Sequence, residues 1–167
     1  MNPSPHTTNM NAFALLGFEP SLDINEVELK SRFEHLRTQF HPDRFASGST
    51  LERRLAVQRA ADINAAYATL SNPLARAQCY FAMRGIVLDE QRSMDDTVFL
   101  MQQMELREAL EDARTPQARN VLKNQINALW AQSWASLTGV AKHEDAAVIL
   151  RDLQRLQFLQ RFLQQIE

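Results

Sequence analysis

With 167 residues, 45% of them hydrophobic and 23% charged, the chain is long enough for one large domain or two small ones with buried cores. A formal net charge of −2 excludes an overall basic field for nucleic acid or an anionic membrane surface. The single cysteine, Cys79, excludes an internal disulfide and a cysteine-based zinc site and suits a reducing cytosol.

In chain order, residues 1–11 read as a polar leader without the basic start or apolar core of a signal peptide. The longest aliphatic run, Ala146 to Leu150, is too short to span a bilayer. Ala12 to Phe18 reads as a short apolar turn of helix stopped at Gly17. Asp23 followed by Glu26 predicts a capping box and a helix running to Phe40, with Leu29, Phe33, Leu36 and Phe40 on one buried face. Pro42 ends that helix, because a proline pushes its predecessor out of the α region. Ser49 and Glu52 form a second capping-box pattern, opening a helix to about Leu70 with Ala56, Ala60, Ile63, Tyr67 and Leu70 as its stripe. Pro73 suits the first turn of a further helix, which Gly85 caps.

After a connector from Gly85 to Ser93, three longer helices are predicted over about 94–114, 116–137 and 145–166, with Thr115-Pro116 dividing the first two. Short connections predict antiparallel neighbours, and no segment alternates with the period of a strand. The expected fold is all-α: a small helical unit over about residues 1–85 and a three-helix bundle over 86–167, packed against each other.

Between the second and third helices stands His41-Pro42-Asp43. Pro42 locks φ and makes a rigid bend. Asp43 offers a carboxylate able to pair bidentately with an arginine, and His41 offers two ring nitrogens. The flanking sequences, LKSRFEHLRTQFHPDRF and RAADINAAYATLSNP, resemble a J-domain, the helical hairpin that activates ATPase chaperones of the DnaK type. HPDRFASGS, PLARAQCY and FLMQQMELREAL extend the likeness over nearly the whole chain, to the J-type co-chaperones of bacterial iron–sulfur cluster assembly (HscB type). The resemblance implies two partners: a dedicated chaperone ATPase (HscA type) and a client, the cluster scaffold protein (IscU type). It implies that His41, Pro42 and Asp43 dock on the chaperone, helped by basic residues around the loop, here Lys30, Arg32, Arg37 and Arg44. Glu26, Glu28 and Glu34 interleave with them, which suits a dedicated chaperone better than a general one.

On a helical wheel of about 100° per residue, Phe99, Leu106, Ala109, Leu110 and Ala113 form one stripe, and Leu100, Met101 and Met104 fall roughly opposite, beside Glu105 and Glu108. The last helix places Ile149, Leu153, Leu156 and Leu163 on one face and Phe158, Leu159 and Phe162 off it. Surplus Met and Phe suit an adaptable apolar surface for a protein partner. The resemblance implies client binding at Leu100, Met101, Met104, Glu105, Glu108 and Phe158, and the wheel adds Leu159 and Phe162.

Trp130 and Trp134 read as core, and Cys79 as a packed thiol with no base beside it. His6, His35, His41 and His143 have no metal-ligand spacing, and no glycine-rich phosphate loop exists, so neither a metal nor another cofactor is expected. A hydrolase built on His41 and Asp43 lacks a nucleophile. The sequence therefore reads as a non-enzymatic cytoplasmic adaptor, with a J-domain co-chaperone for another client as the alternative.

Overall fold

The computed structural model describes residues 11–89, 96–141 and 145–166. The elements among them are α1 (Ala12–Leu15), α2 (Glu26–Gln39), a 3-10 turn (Pro42–Phe45), α3 (Thr50–Ser71), α4 (Pro73–Ala82), α5 (Thr97–Asp112), α6 (Pro116–Val140) and α7 (Ala146–Ile166). The architecture is all-α, in two compact units, Met1–Gly85 and Ile86–Glu167. His6, His143 and much of the predicted connector lie outside the described residues.

In the first unit α2 and α3 pack along each other. Phe13 of α1 and Leu16, its C-cap, join Ile24, Leu29, Ile63, Ala66, Leu70 and Cys79 in one buried cluster. Each large side chain fully removed from water there stabilises the unit by about 1.5–3 kcal/mol. Phe33, Leu36, Phe40 and Tyr67 pack half-buried around it, and the Phe33 and Tyr67 rings stack with centroids 4.0 Å apart. Ala60 lies at the rim, and Ala66, outside the expected stripe, takes a buried place.

Helix α2 starts later than the Asp23 pattern suggests. Its N-cap is Asn25, whose side chain accepts from the Glu28 amide at 3.0 Å. Both residue types cap well, so the choice falls to the apolar residues around them. With Asn25 as cap, Ile24 and Leu29 occupy the two positions of a hydrophobic staple, and both are buried in the same cluster. With Asp23 as cap, the second staple position would be Val27, which is 81% exposed. The Ser49 box forms as expected: Ser49 Oγ accepts from the Glu52 amide at 3.2 Å, and the Glu52 carboxylate accepts from the Ser49 amide at 2.6 Å. Helix α4 stops at Ala82, short of Gly85, which sits at φ 77° in the turn beyond.

One buried cation ties this unit together. Arg76 Nε donates to the Leu22 carbonyl at 3.0 Å and Nη1 to the Leu70 carbonyl at 2.6 Å. Leu70 lies in the last turn of α3, whose carbonyls have no partner within the helix. Burial pushes the Arg76 guanidinium below its ordinary pKa, and the Glu26 and Asp23 carboxylates push it back up.

In the second unit Phe99 and Leu106 of α5 with Ala113, its C-cap, Leu122 and Ile126 of α6, and Leu159, Phe162 and Ile166 of α7 form the core. Trp130 packs half-buried against it. Helices α6 and α7 pack along each other. Ser136 Oγ of α6 donates to the fully buried Asp152 carboxylate of α7 at 2.6 Å.

Replacing Arg76 with alanine strands two carbonyls, so Arg76→Ala should lower the stability of the first unit by about 2–4 kcal/mol. Arg76→Lys should restore only part of it, since an ammonium lacks the planar fork that spans both carbonyls. Urea unfolding of the full-length chain reads the loss; an unshifted midpoint for Arg76→Ala would contradict the assigned role.

Candidate functional site

The corner between α2 and α3 is built from its backbone outward. Phe40 is the C-cap of α2, its amide donating to the Leu36 carbonyl at 3.0 Å. His41 is extended, at φ −63° and ψ 129°, as proline requires of its predecessor. Pro42 is the first residue of the 3-10 turn, where a missing N–H leaves nothing unsatisfied. His41 caps the turn: its Nδ1 accepts from the Asp43 amide at 3.3 Å, and its carbonyl accepts from the Arg44 amide at 3.0 Å. With Nδ1 turned toward the Asp43 backbone, Nε2 is the ring nitrogen left for a partner. The Asp43 carboxylate lies 3.5 Å from Nδ1, and the two side chains are 53% and 90% exposed. The corner thus offers one imidazole and one carboxylate from a single bend.

The basic residues divide into two groups. Arg37 and Arg44 line a cleft with Thr38 and His41. Arg44 Nη1 donates to the Thr38 carbonyl at 3.4 Å, and the Arg37 guanidinium lies 5.5 Å from the Phe33 ring. Lys30 is exposed two turns before Arg37, on the same face of α2, with exposed Glu34 between them. Arg32 has another task. Its guanidinium donates to the Gly17 and Leu16 carbonyls, pairs with Glu28 and lies 4.3 Å from the Phe18 ring. Gly17 has φ 73°, and a Cβ there would stand 3.0 Å from Arg32 Nη1. Arg32 straps the segment after α1 to α2, so that of the four only Arg37 and Arg44 lie at the corner, with Lys30 exposed further back on α2.

In the second unit α5 buries Phe99 and Leu106 on one side. On another it leaves Leu100 43%, Met101 61% and Met104 62% exposed, with Glu105 and Glu108 exposed beside them. Val98, which the wheel did not single out, is 77% exposed. Ala109, expected in the core, is exposed. The wheel misplaces two residues of α7: Leu159 is 0% and Phe162 2% exposed, and both belong to the bundle core. The reason is that the buried arc of α7 turns along its length. Its first half buries Ile149, Leu153 and Leu156, and its second half buries Leu159, Phe162 and Ile166. At about 100° per residue these two sets differ by more than a quarter of the circumference, so no single stripe describes the helix. Phe158 keeps part of its surface, while its ring meets Phe99 edge-on at 5.6 Å and stacks on Phe162 at 5.5 Å.

Comparison with known proteins bears on both units. A family model described as the HSCB C-terminal oligomerisation domain matches residues 95–167. The co-chaperone protein HscB of Proteus mirabilis is 34% identical over 163 residues, covering 95% of this chain and 94% of that protein. The chain belongs to the HscB family of co-chaperones. An HscB homolog from a Shewanella species (strain W3-18-1) is 38% identical over 158 residues, covering 90% of this chain and 91% of its own length. The structure of the HscB chaperone from Vibrio cholerae superposes with a TM-score of 0.82 at 33% identity, over 94% of this chain and 95% of that one. Human HscB shares the fold, with a TM-score of 0.88 at 23% identity over 99% of this chain and 83% of that chain. The resemblance read from the corner and its flanks is therefore borne out, and the all-α pairing of a J-domain with a C-terminal bundle is the HscB fold.

One contact of this HscB-type bundle had no local signal in the sequence. Asp96 caps α5, accepting from the Phe99 amide at 3.1 Å, and its other oxygen accepts from Arg155 Nε of α7 at 2.8 Å. The Arg155 guanidinium also lies 5.3 Å from the Phe99 ring. These contacts fix the start of α5 on α7. Partial burial pushes the Asp96 carboxyl up. Hydrogen bonds from Arg155 and the Phe99 amide, with the charges of Arg155 and Arg151, outweigh it and hold the group below the usual carboxylate range. A carboxyl depressed on folding contributes its full stability above the unfolded chain's value of about 3.9, and loses it as pH falls through the folded value. The melting temperature of the full-length chain should therefore fall on acidification below about pH 4. Asp96→Asn should melt lower at pH 7 and show a shallower acid slope; parallel pH profiles for the two proteins would exclude this contact as a source of acid sensitivity.

Proposed function

We propose that this HscB-family co-chaperone links a DnaK-type chaperone ATPase of the HscA type to an iron–sulfur cluster scaffold protein of the IscU type, in the cytoplasm and without catalysing a reaction itself. The observation that carries the chaperone half is the corner: an exposed imidazole and an exposed carboxylate held on a proline-locked turn, with Arg37 and Arg44 beside them. The carboxylate meets an arginine of the chaperone, and prior rigidity keeps the entropic cost of docking low. Binding that favours the hydrolysis-competent conformation raises the ATPase rate by shifting the chaperone's own equilibrium. No proton or phosphoryl group passes through this chain, and among the described residues no helix is long and apolar enough to cross a membrane.

The client half is carried by α5. Its exposed Leu100, Met101 and Met104 with the carboxylates of Glu105 and Glu108 form an adaptable apolar strip with an acidic edge. Phe158 adds the exposed part of its ring. A chain that holds both partners raises the client's effective concentration at the chaperone.

Two measurements test the halves separately. In a steady-state ATPase assay with the HscA-type chaperone, Asp43→Asn should reduce stimulation at least about tenfold, since a charge-assisted pair is lost; stimulation equal to the wild type would defeat the docking role. For the client, Met101→Ser with Met104→Ser should weaken scaffold binding in calorimetry by about tenfold or more. These positions are preferable to Phe158, whose truncation would also open the bundle core. Undiminished scaffold affinity would show that the client sits elsewhere, and a different protein captured by the same face would redirect the client assignment.

A further inference from the structure

The corner has two flanks of opposite character. One is the basic cleft of Arg37, Arg44 and His41. The other is an apolar groove of about 370 Å³, formed by Phe40, Phe45, Leu55 and Ala56 and edged by Glu52, Asp62 and Arg59. Phe40 directly precedes His41, and Phe45 closes the turn that Pro42 opens, so groove and corner share one stretch of backbone. Leu55 is 60% exposed, and Leu51, one turn earlier, is 65% exposed. Helix α3 buries Ala56, Ile63, Ala66 and Leu70, so the hairpin does not need two bare leucines on successive turns of another face. The edge is net acidic: Glu52 and Asp62 carry carboxylates, whereas the Arg59 guanidinium lies 5.6 Å from the Phe40 ring.

We infer that this groove is the apolar half of the chaperone-docking surface and receives an aliphatic side chain, flanked by a cation, from the same chaperone whose arginine meets Asp43. The inference rests on the reading of the corner given above. The surface it requires on the chaperone is bipolar. It is anionic where it covers Arg37 and Arg44, and apolar with a positive flank where it covers Leu51 and Leu55. This complementarity fixes the direction in which the hairpin docks, which a single pair at Asp43 leaves open.

The test is a titration of the HscA-type chaperone's ATPase with the full-length chain. Leu51→Gln combined with Leu55→Gln keeps helix propensity and alters only exposed positions. The half-saturating concentration should rise about tenfold, with a smaller rise for Asp62→Lys, which reverses the edge charge. A double-variant curve that superimposes on the wild type, while Asp43→Asn abolishes stimulation, overturns the groove and leaves the corner standing. Full stimulation by Asp43→Asn removes the corner reading and the groove with it. Concentration-dependent self-association of the wild type that the double variant lacks, seen by sedimentation, would assign the groove to a second copy and also overturn the inference. So would weakened scaffold binding with an unchanged ATPase curve.

Discussion

The apolar seam between α2 and α3 is the constraint on which the corner depends. Leu29 and Ile63 lie in one buried cluster, and the Phe33 and Tyr67 rings stack across the hairpin. This seam fixes where α2 ends and α3 begins, so the few residues between them must turn in a set space. Pro42 makes that turn with φ already restricted, and the His41 ring closes it by accepting the Asp43 amide. Without the seam the same three residues would be a mobile loop, and ordering them on a partner would cost conformational entropy at each docking event. The His41 and Asp43 side chains are exposed, but their bend is held by residues packed inside the hairpin.

The two units present different kinds of surface. The corner is small, polar and rigid, which suits recognition of a charged group at a defined place. The outer face of α5 is broad and rich in methionine, which adjusts its shape to what covers it. For a helix to display such a face it must be anchored firmly on the other. Phe99 and Leu106 supply the anchor, and Asp96 pinned to Arg155 holds the first turn. Phe158 stands between the two roles, one part of its ring in the core and the remainder at the surface.

Much of the architecture was legible because it depends on local chemistry. The Ser49 box, the Thr115-Pro116 start of α6, the proline that ends α2 and the two-faced character of α5 all follow from spacing within one or two turns. The family could be read too, because the tripeptide and its flanks lie close together in sequence. Choices between locally equivalent options were not legible. Asp23 and Asn25 are both good caps, and Asn25 is used because only that register brings Ile24 and Leu29 into the core together. Arg32 and Arg37 are alike as residues, but Arg32 finds the Gly17 carbonyl while Arg37 faces the cleft beside the corner.

Helix α7 shows the same division at larger scale. Its amphipathic pattern was evident, but which side chains are buried depends on what lies against each half, so Leu159 and Phe162 moved from surface candidates to core. The sequence by itself determined the helices, the position of the corner and the surplus of apolar groups on α5, since each is set by neighbours a few residues away. Only the tertiary structure decided which cap is used, which arginine is internal, how the buried arc of α7 turns, and that Asp96 meets a residue in another helix. Those outcomes depend on contacts between segments far apart in the chain, which local periodicity does not encode.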